Sequence, residues 1–67
     1  MTPKHPPMTP KEIRTKLLAD GFIEGKGKGD HRNFKKAGVG KVTLDMGAKE
    51  VPTGTLRSIY RQARWEW

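Results

Sequence analysis

One histidine stands inside the foldable part of this chain, and the residues around it decide what it can do. His31 follows Gly29-Asp30, with Lys26 and Lys28 upstream and Arg32, Lys35, Lys36 and Lys41 downstream. Across residues 26–41 those cations are opposed by Asp30 alone. An imidazole titrating near neutrality is suited to general acid–base work. Cations beside it can hold phosphates and offset charge that develops in a transition state. RNA carries its own nucleophile, the 2′-hydroxyl, so one base plus positive charge is a workable minimum for cutting it. The plain reading of the same residues is a strand histidine on a solvated hairpin, where lysines deter edge-to-edge aggregation.

Other chemistries find little support. Metal binding needs three or four convergent ligands, and the chain has no cysteine and no other histidine except His5 near its start. No metal and no small-molecule cofactor are therefore expected. The string Gly25-Lys26-Gly27-Lys28-Gly29 is not a P-loop, because GxxxxGK(S/T) is absent, and not a dinucleotide-binding fingerprint, because no helix follows to present its N-terminus. Its glycines suit a turn that must approach something closely. The acids are scattered without paired spacing, and Ser58 is the lone serine, without a nucleophile-elbow context.

The elements that must position His31 can be read from periodicity. Thr9-Pro10-Lys11-Glu12 combines a capping hydroxyl, a proline at the first helical position and a glutamate that can close a capping box. Met8 and Ile13 fall where a hydrophobic staple would close. A first helix should then carry Ile13, Leu17 and Leu18 as its apolar stripe and stop at Gly21. Phe22-Ile23-Glu24 reads as a strand, residues 31–36 as a second, and residues 41–46 as a third, separated from the second by a turn over 37–40. In the third, Val42, Leu44 and Met46 alternate onto one face. A second helix is predicted from an N-cap at Thr53 to about Ala63, burying Leu56, Ile59, Tyr60 and Ala63, with Arg57, Arg61 and Arg64 on its other side. That arginine stripe reads equally as a phosphate or acidic-partner contact and as a solvated face. Trp65 is expected to cap the core. Residues 1–8, with three prolines, read as a flexible leader ahead of a single domain over 9–67. The expected class is α+β, ordered α-β-β-β-α, with two helices on one face of a three-stranded antiparallel sheet.

Composition sets the bounds. The chain has 67 residues and a formal charge of +7, from 14 Lys and Arg against 7 Asp and Glu. A domain this small buries only roughly 60% of the surface its unfolded chain exposes. Two-domain enzymes and deep cofactor pockets are excluded. No apolar run approaches the ~20 residues of a membrane span, and the absence of a secretory h-region makes a cytoplasmic address the expectation. The charge favours a polyanion: nucleic acid, an acidic protein or an anionic membrane.

Two strings narrow that choice. They are Gly29-Asp30-His31 with Phe34 following, and Pro52-Thr53-Gly54-Thr55-Leu56-Arg57-Ser58-Ile59. In this order, with Gly21-Phe22 before them and Val42-Thr43-Leu44 between, the chain over residues 10–64 resembles the HicA family of toxin–antitoxin mRNA interferases. The resemblance implies a double-stranded-RNA-binding-domain-like fold, which agrees with the order read from the residues. It also implies a metal-independent endoribonuclease that cleaves mRNA and arrests growth, neutralised by a HicB-type antitoxin. The family's functional histidine maps onto His31, and Lys26, Lys28, Arg32, Lys35, Lys36 and Lys41 are the expected RNA-binding residues. Asp30 stands where the family usually has serine and could orient His31. Met46-Gly47 stands where many relatives have a second histidine. A non-catalytic nucleic-acid-binding module of the same fold, and a protein whose basic surface serves only an acidic partner, are the competing readings.

Overall fold

The computed structural model describes residues 6–67, ordered α1 (Pro10–Ala19), β1 (Ile23–Lys26), β2 (His31–Lys36), β3 (Gly40–Asp45) and α2 (Thr53–Ala63). The first helix starts where its capping residues direct. The Thr9 hydroxyl accepts from the Glu12 amide at 3.2 Å, and the Glu12 carboxylate accepts from the Thr9 amide at 2.9 Å. Those bonds from Thr9 hold the Glu12 carboxyl below its ordinary value. Gly21, at φ +98°, turns the chain out of the helix. Ile13 and Leu17 are buried, whereas Leu18 is 38% exposed and lies outside the expected stripe.

The sheet has the order β1-β2-β3 and is antiparallel throughout. Phe34 pairs with Glu24 on one side and Val42 on the other; His31 pairs with Asp45 and Lys35 with Lys41. Alternation along the strands then sorts the side chains. Phe34, Val42 and Leu44 face the helices in one core with Ile13, Leu17, Leu56, Ile59, Tyr60 and Ala63, while His31, Asn33, Lys35, Lys41, Thr43 and Asp45 share the open face. The expected α-β-β-β-α architecture, with both helices on one face, is the architecture observed.

Several boundaries differ from the sequence reading. β1 begins at Ile23 rather than Phe22 and runs on to Lys26, because Gly25 and Lys26 pair with Asn33 and Arg32. Ladder pairing carries the strand into the glycine-rich string despite its composition. β3 starts one residue early, with Gly40 opposite Lys36. Pro52, not Thr53, is the N-cap of α2 and gives no side-chain cap bond, so Thr53 is the first helical residue. Residues 1–5 of the expected leader, His5 among them, lie outside the described residues. Met8 is part of the fold: the Val51 amide donates to its carbonyl at 2.7 Å, and its side chain packs against the core.

The C-terminus closes the open end of the core. Arg64, left-handed at φ 60°, turns the chain so that Trp65 packs edge-on against Tyr60 and Phe22, at 5.1 Å and 6.3 Å between ring centroids. The Trp65 indole N–H donates to Asp20 at 2.8 Å, and Lys16 Nζ lies 5.0 Å from the centre of the same indole. No helix among the described residues is long and apolar enough to cross a membrane.

Candidate active site on the open sheet face

His31 opens β2 and is held from the turn before it. Its backbone N–H donates to the Lys28 carbonyl oxygen at 3.1 Å, and its ring Nδ1 lies 3.2 Å from that same oxygen. A carbonyl can only accept, so Nδ1 carries the proton in this bond and the lone pair of the neutral ring is at Nε2. The exposed imidazole is thereby anchored to the turn through Nδ1, with Nε2 as the ring nitrogen left open to a proton donor.

The glycine-rich turn makes that arrangement possible. A Cβ on Gly27 would fall 2.2 Å from the His31 carbonyl oxygen and 2.6 Å from its carbon. The close approach expected of this string is therefore made to the strand that carries His31. Gly29, at φ +62°, supplies the reversal between Lys28 and His31.

Asp30 does not reach the imidazole side. Its carboxylate lies over Gly47, where a Cβ would meet it at 2.6 Å, and its carbonyl accepts from the Met46 amide at 2.8 Å. The acid opposite His31 is Asp45, a residue that sequence reasoning passed over. Because the Met46 amide points at Asp30, alternation makes His31 and Asp45 a non-hydrogen-bonded pair, the kind whose side chains stand closest. The Asp45 carboxylate is oriented by the Gly47 amide at 2.9 Å. One strand step away, the Thr43 hydroxyl donates to Asn33 at 3.0 Å, and the Asn33 amide donates to the Lys26 carbonyl at 3.3 Å. This chain of bonds ties all three strands beneath the face.

The expected cations divide between two faces. Lys35 and Lys41 are paired in register on the His31 side, and Lys28 belongs to the turn that holds the ring. Arg32 and Lys36 alternate to the helix side, where Arg32 meets Glu24 at 3.7 Å and Lys36 meets Asp20 at 3.3 Å. Lys26, in register with Arg32, falls on that side too. Arg14 also bonds Glu24, at 2.9 Å, which raises its already high pKa. The six cations adjacent in sequence are thus not one surface, and Arg32 is turned away from the imidazole it was expected to assist.

Beyond Asp45, the His31 end of the face opens into a groove of about 380 Å³ between the outer edge of β3 and the start of α2. Thr43, Glu50, Val51, Thr55 and Ile59 contribute to its lining. Among the described residues no three His, Asp or Glu side chains converge as a metal site would require.

Over residues 10–65 the chain matches the model of the family described as the HicA toxin of bacterial toxin-antitoxin. No curated protein matches it.

Proposed function

The chain belongs to the HicA toxin family, and on that premise we propose that it is a metal-independent endoribonuclease acting on mRNA, with His31 as its proton-transfer residue. It is the toxin of a toxin–antitoxin system, and its family implies an antitoxin partner. The observation that carries the reading is the exposed His31 imidazole fixed by Lys28, with Nε2 directed away from that bond. In the proposed reaction Nε2 accepts the proton of an RNA 2′-hydroxyl. The 2′-oxygen bonds to phosphorus, the bond to the 5′-oxygen breaks, and the products are a 2′,3′-cyclic phosphate and a 5′-hydroxyl once a proton reaches the leaving oxygen. Lys28, Lys35 and Lys41 supply the positive charge on this side of the sheet, holding backbone phosphates and offsetting charge on the pentacovalent phosphorus. At ~3.3 Å per strand residue, Lys35 lies roughly 13 Å along β2 from His31, a reach of about two nucleotides. Recognition would be largely of backbone and shape, as for other sheet-and-helix RNA binders. A HicB-type antitoxin would neutralise the chain by covering His31 and these lysines.

The test is incubation of purified protein with labelled RNA in EDTA, beside His31→Ala. Wild type should yield fragments with cyclic phosphate ends and leave a 2′-deoxy substitution at the scissile position uncut. His31→Ala should bind RNA, cut none and lose toxicity in bacteria. Shifted but intact RNA with wild type would support the non-catalytic binding module instead. A fully toxic His31→Ala would overturn the role of the imidazole.

A further inference from the structure

The groove beside His31 differs in character from the rest of the open face. The protein carries a charge of +7, yet the groove is lined by no lysine or arginine. Its floor is apolar, from Val51 and Ile59, and its rim is His31, Thr43, Asp45, Glu50 and Thr55. Glu50 makes no ion pair or hydrogen bond among the described residues. β3 is the last strand of the sheet, so its outer edge is unpaired. With Met46 donating inward to Asp30, alternation turns the peptide groups of Thr43 and Asp45 out along that edge.

With His31 at its mouth as the one basic side chain and two acidic residues in its lining, the interior of the groove disfavours a phosphate. It accepts a flat apolar ring whose edge offers N–H donors. At about 380 Å³ the space equals roughly a dozen waters at ~30 Å³ each, enough for one heterocycle. Its position matters as much as its chemistry. His31 stands between the groove and the lysines of the open face, so a strand with its phosphates on Lys28, Lys35 and Lys41 has a base within reach of the groove.

We propose that this groove is a nucleobase subsite, selecting a base with an amino-bearing donor edge, and guanine above all, through the Glu50 carboxylate. Guanine presents N1–H and N2–H side by side, matching two carboxylate oxygens. Uracil offers a single N–H flanked by two carbonyl oxygens that a carboxylate repels. Unstacked bases in RNA are read in this way, on their Watson–Crick edges above an apolar surface. The proposal rests on the ribonuclease reading for its purpose, but the binding itself is separately measurable.

The experiment is a titration of the full-length, ¹⁵N-labelled chain with GMP and with UMP, followed by amide shifts. Both probes carry the same phosphate, so the difference between them reports the base. GMP should move the amides of Thr43, Asp45, Val51 and Thr55, and should bind more tightly than UMP. Glu50→Gln, which replaces one acceptor with a donor on an exposed residue, should reduce the GMP preference by roughly tenfold, the discrimination one paired contact supplies. Thr55→Phe, which fills the groove from the first turn of α2, should abolish the base-dependent shifts. Equal shifts by GMP and UMP, shifts confined to Lys28, Lys35 and Lys41, or an unchanged preference in Glu50→Gln would each overturn the proposal. Cleavage of oligonucleotides differing only in the base beside the scissile bond separates the two readings. If wild type cuts no RNA, the ribonuclease reading fails while the titration still decides the groove. If it cuts all four substrates equally, the ribonuclease stands and the subsite falls.

Discussion

The placement of His31 depends on an atom that is absent from residue 27, so Gly27→Ala tests the site at its base. The new Cβ would lie 2.2 Å from the His31 carbonyl oxygen, 2.6 Å from its carbon and 3.1 Å from the Arg32 nitrogen. All three are backbone atoms of β2, so no side-chain rotation relieves the contact. Ordinary contact begins near 3.4 Å, so the turn must retreat by about 1.2 Å from the strand, taking that separation as the relief required. Retreat strains the closing end of the hairpin, at about 1–3 kcal/mol for overpacking of this kind. It also weakens one or two hydrogen bonds there, each worth about 1 kcal/mol. The expected loss is ~2–5 kcal/mol, a large share of the roughly 3–10 kcal/mol a domain of this length possesses.

A loss of that size lowers the melting temperature by roughly 10–40 °C in a domain this small. Far-UV circular dichroism on heating reads it directly. Gly25→Ala is the control, since a Cβ there meets its nearest neighbour, the Asn33 carbonyl oxygen, at an ordinary 3.6 Å. That variant should melt at or slightly above wild type, because alanine is the less costly residue to order. Below its melting point, Gly27→Ala should also cut RNA on the order of a hundredfold more slowly, as expected for a displacement of about 1 Å at a reacting group. If the two variants melt within about 3 °C of each other, a margin below the ~4–8 °C that 1 kcal/mol produces, the close approach of turn to strand is refuted.

Three further outcomes follow from other parts of the structure. Thr9→Ala removes the hydroxyl that caps α1 and should cost ~1 kcal/mol, seen as a fall of about 4–8 °C in melting temperature. The Asp20 carboxyl is held below its ordinary value first by the Trp65 indole N–H and then by Lys36. A carboxyl lowered by folding contributes stability that is complete above its unfolded value and is lost as pH falls through the folded one. In a Trp67→Phe background, Trp65 fluorescence should therefore change below about pH 4, and Asp20→Asn should flatten that change. Finally, Lys35→Ala and Lys41→Ala should each reduce the slope of log affinity against log salt for single-stranded RNA by about 0.7, whereas Lys36→Ala, on the opposite face with Asp20, should leave the slope unchanged.

Much of the fold is legible because local signals agree with one another. The capping box, the alternation of Val42 and Leu44, and the spacing of Leu56, Ile59, Tyr60 and Ala63 each specify a buried face without reference to the rest of the chain. The site is less legible because it depends on register. Reading the second turn as residues 37–40 leaves Lys36 opposite Lys41 and sets His31 opposite Met46. Gly40 in fact pairs with Lys36, which places Asp45 across from His31. A slip of one residue exchanges the two faces of a strand, so the acid opposite His31 in the ladder was hidden by one glycine. The division of the six cations has the same origin. A charge run looks continuous in sequence, yet strand alternation sends Arg32 and Lys36 to the helix side and Lys35 and Lys41 to the open one. The groove was less visible still, since it joins the edge of β3 to α2 through a loop whose path no periodicity dictates.

The two departures from the family resemblance, Asp30 and Met46-Gly47, are apart in sequence, but Asp30 and Gly47 meet in the structure. A Cβ at residue 47 would meet the Asp30 carboxylate oxygen at 2.6 Å and its Cγ at 3.0 Å. An acid at residue 30 therefore occupies the space from which a side chain at 47 would start, and the two residues behave as one feature. Gly47→His alone should be destabilising, because the new side chain displaces the carboxylate. Asp30→Ser alone should be mild, since it shortens a side chain that is exposed. Combined with Asp30→Ser, Gly47→His should be tolerated better than the sum of the single effects, by the 0.5–3 kcal/mol (about) that contacting residues show in double-mutant cycles. Melting temperatures of the four proteins measure this coupling without reference to RNA. The double variant also places a second imidazole beside the His31 end of the sheet. Its cleavage rate should then follow a bell-shaped pH profile, reporting an acid and a base. Strict additivity of the single effects would refute the coupling between residues 30 and 47.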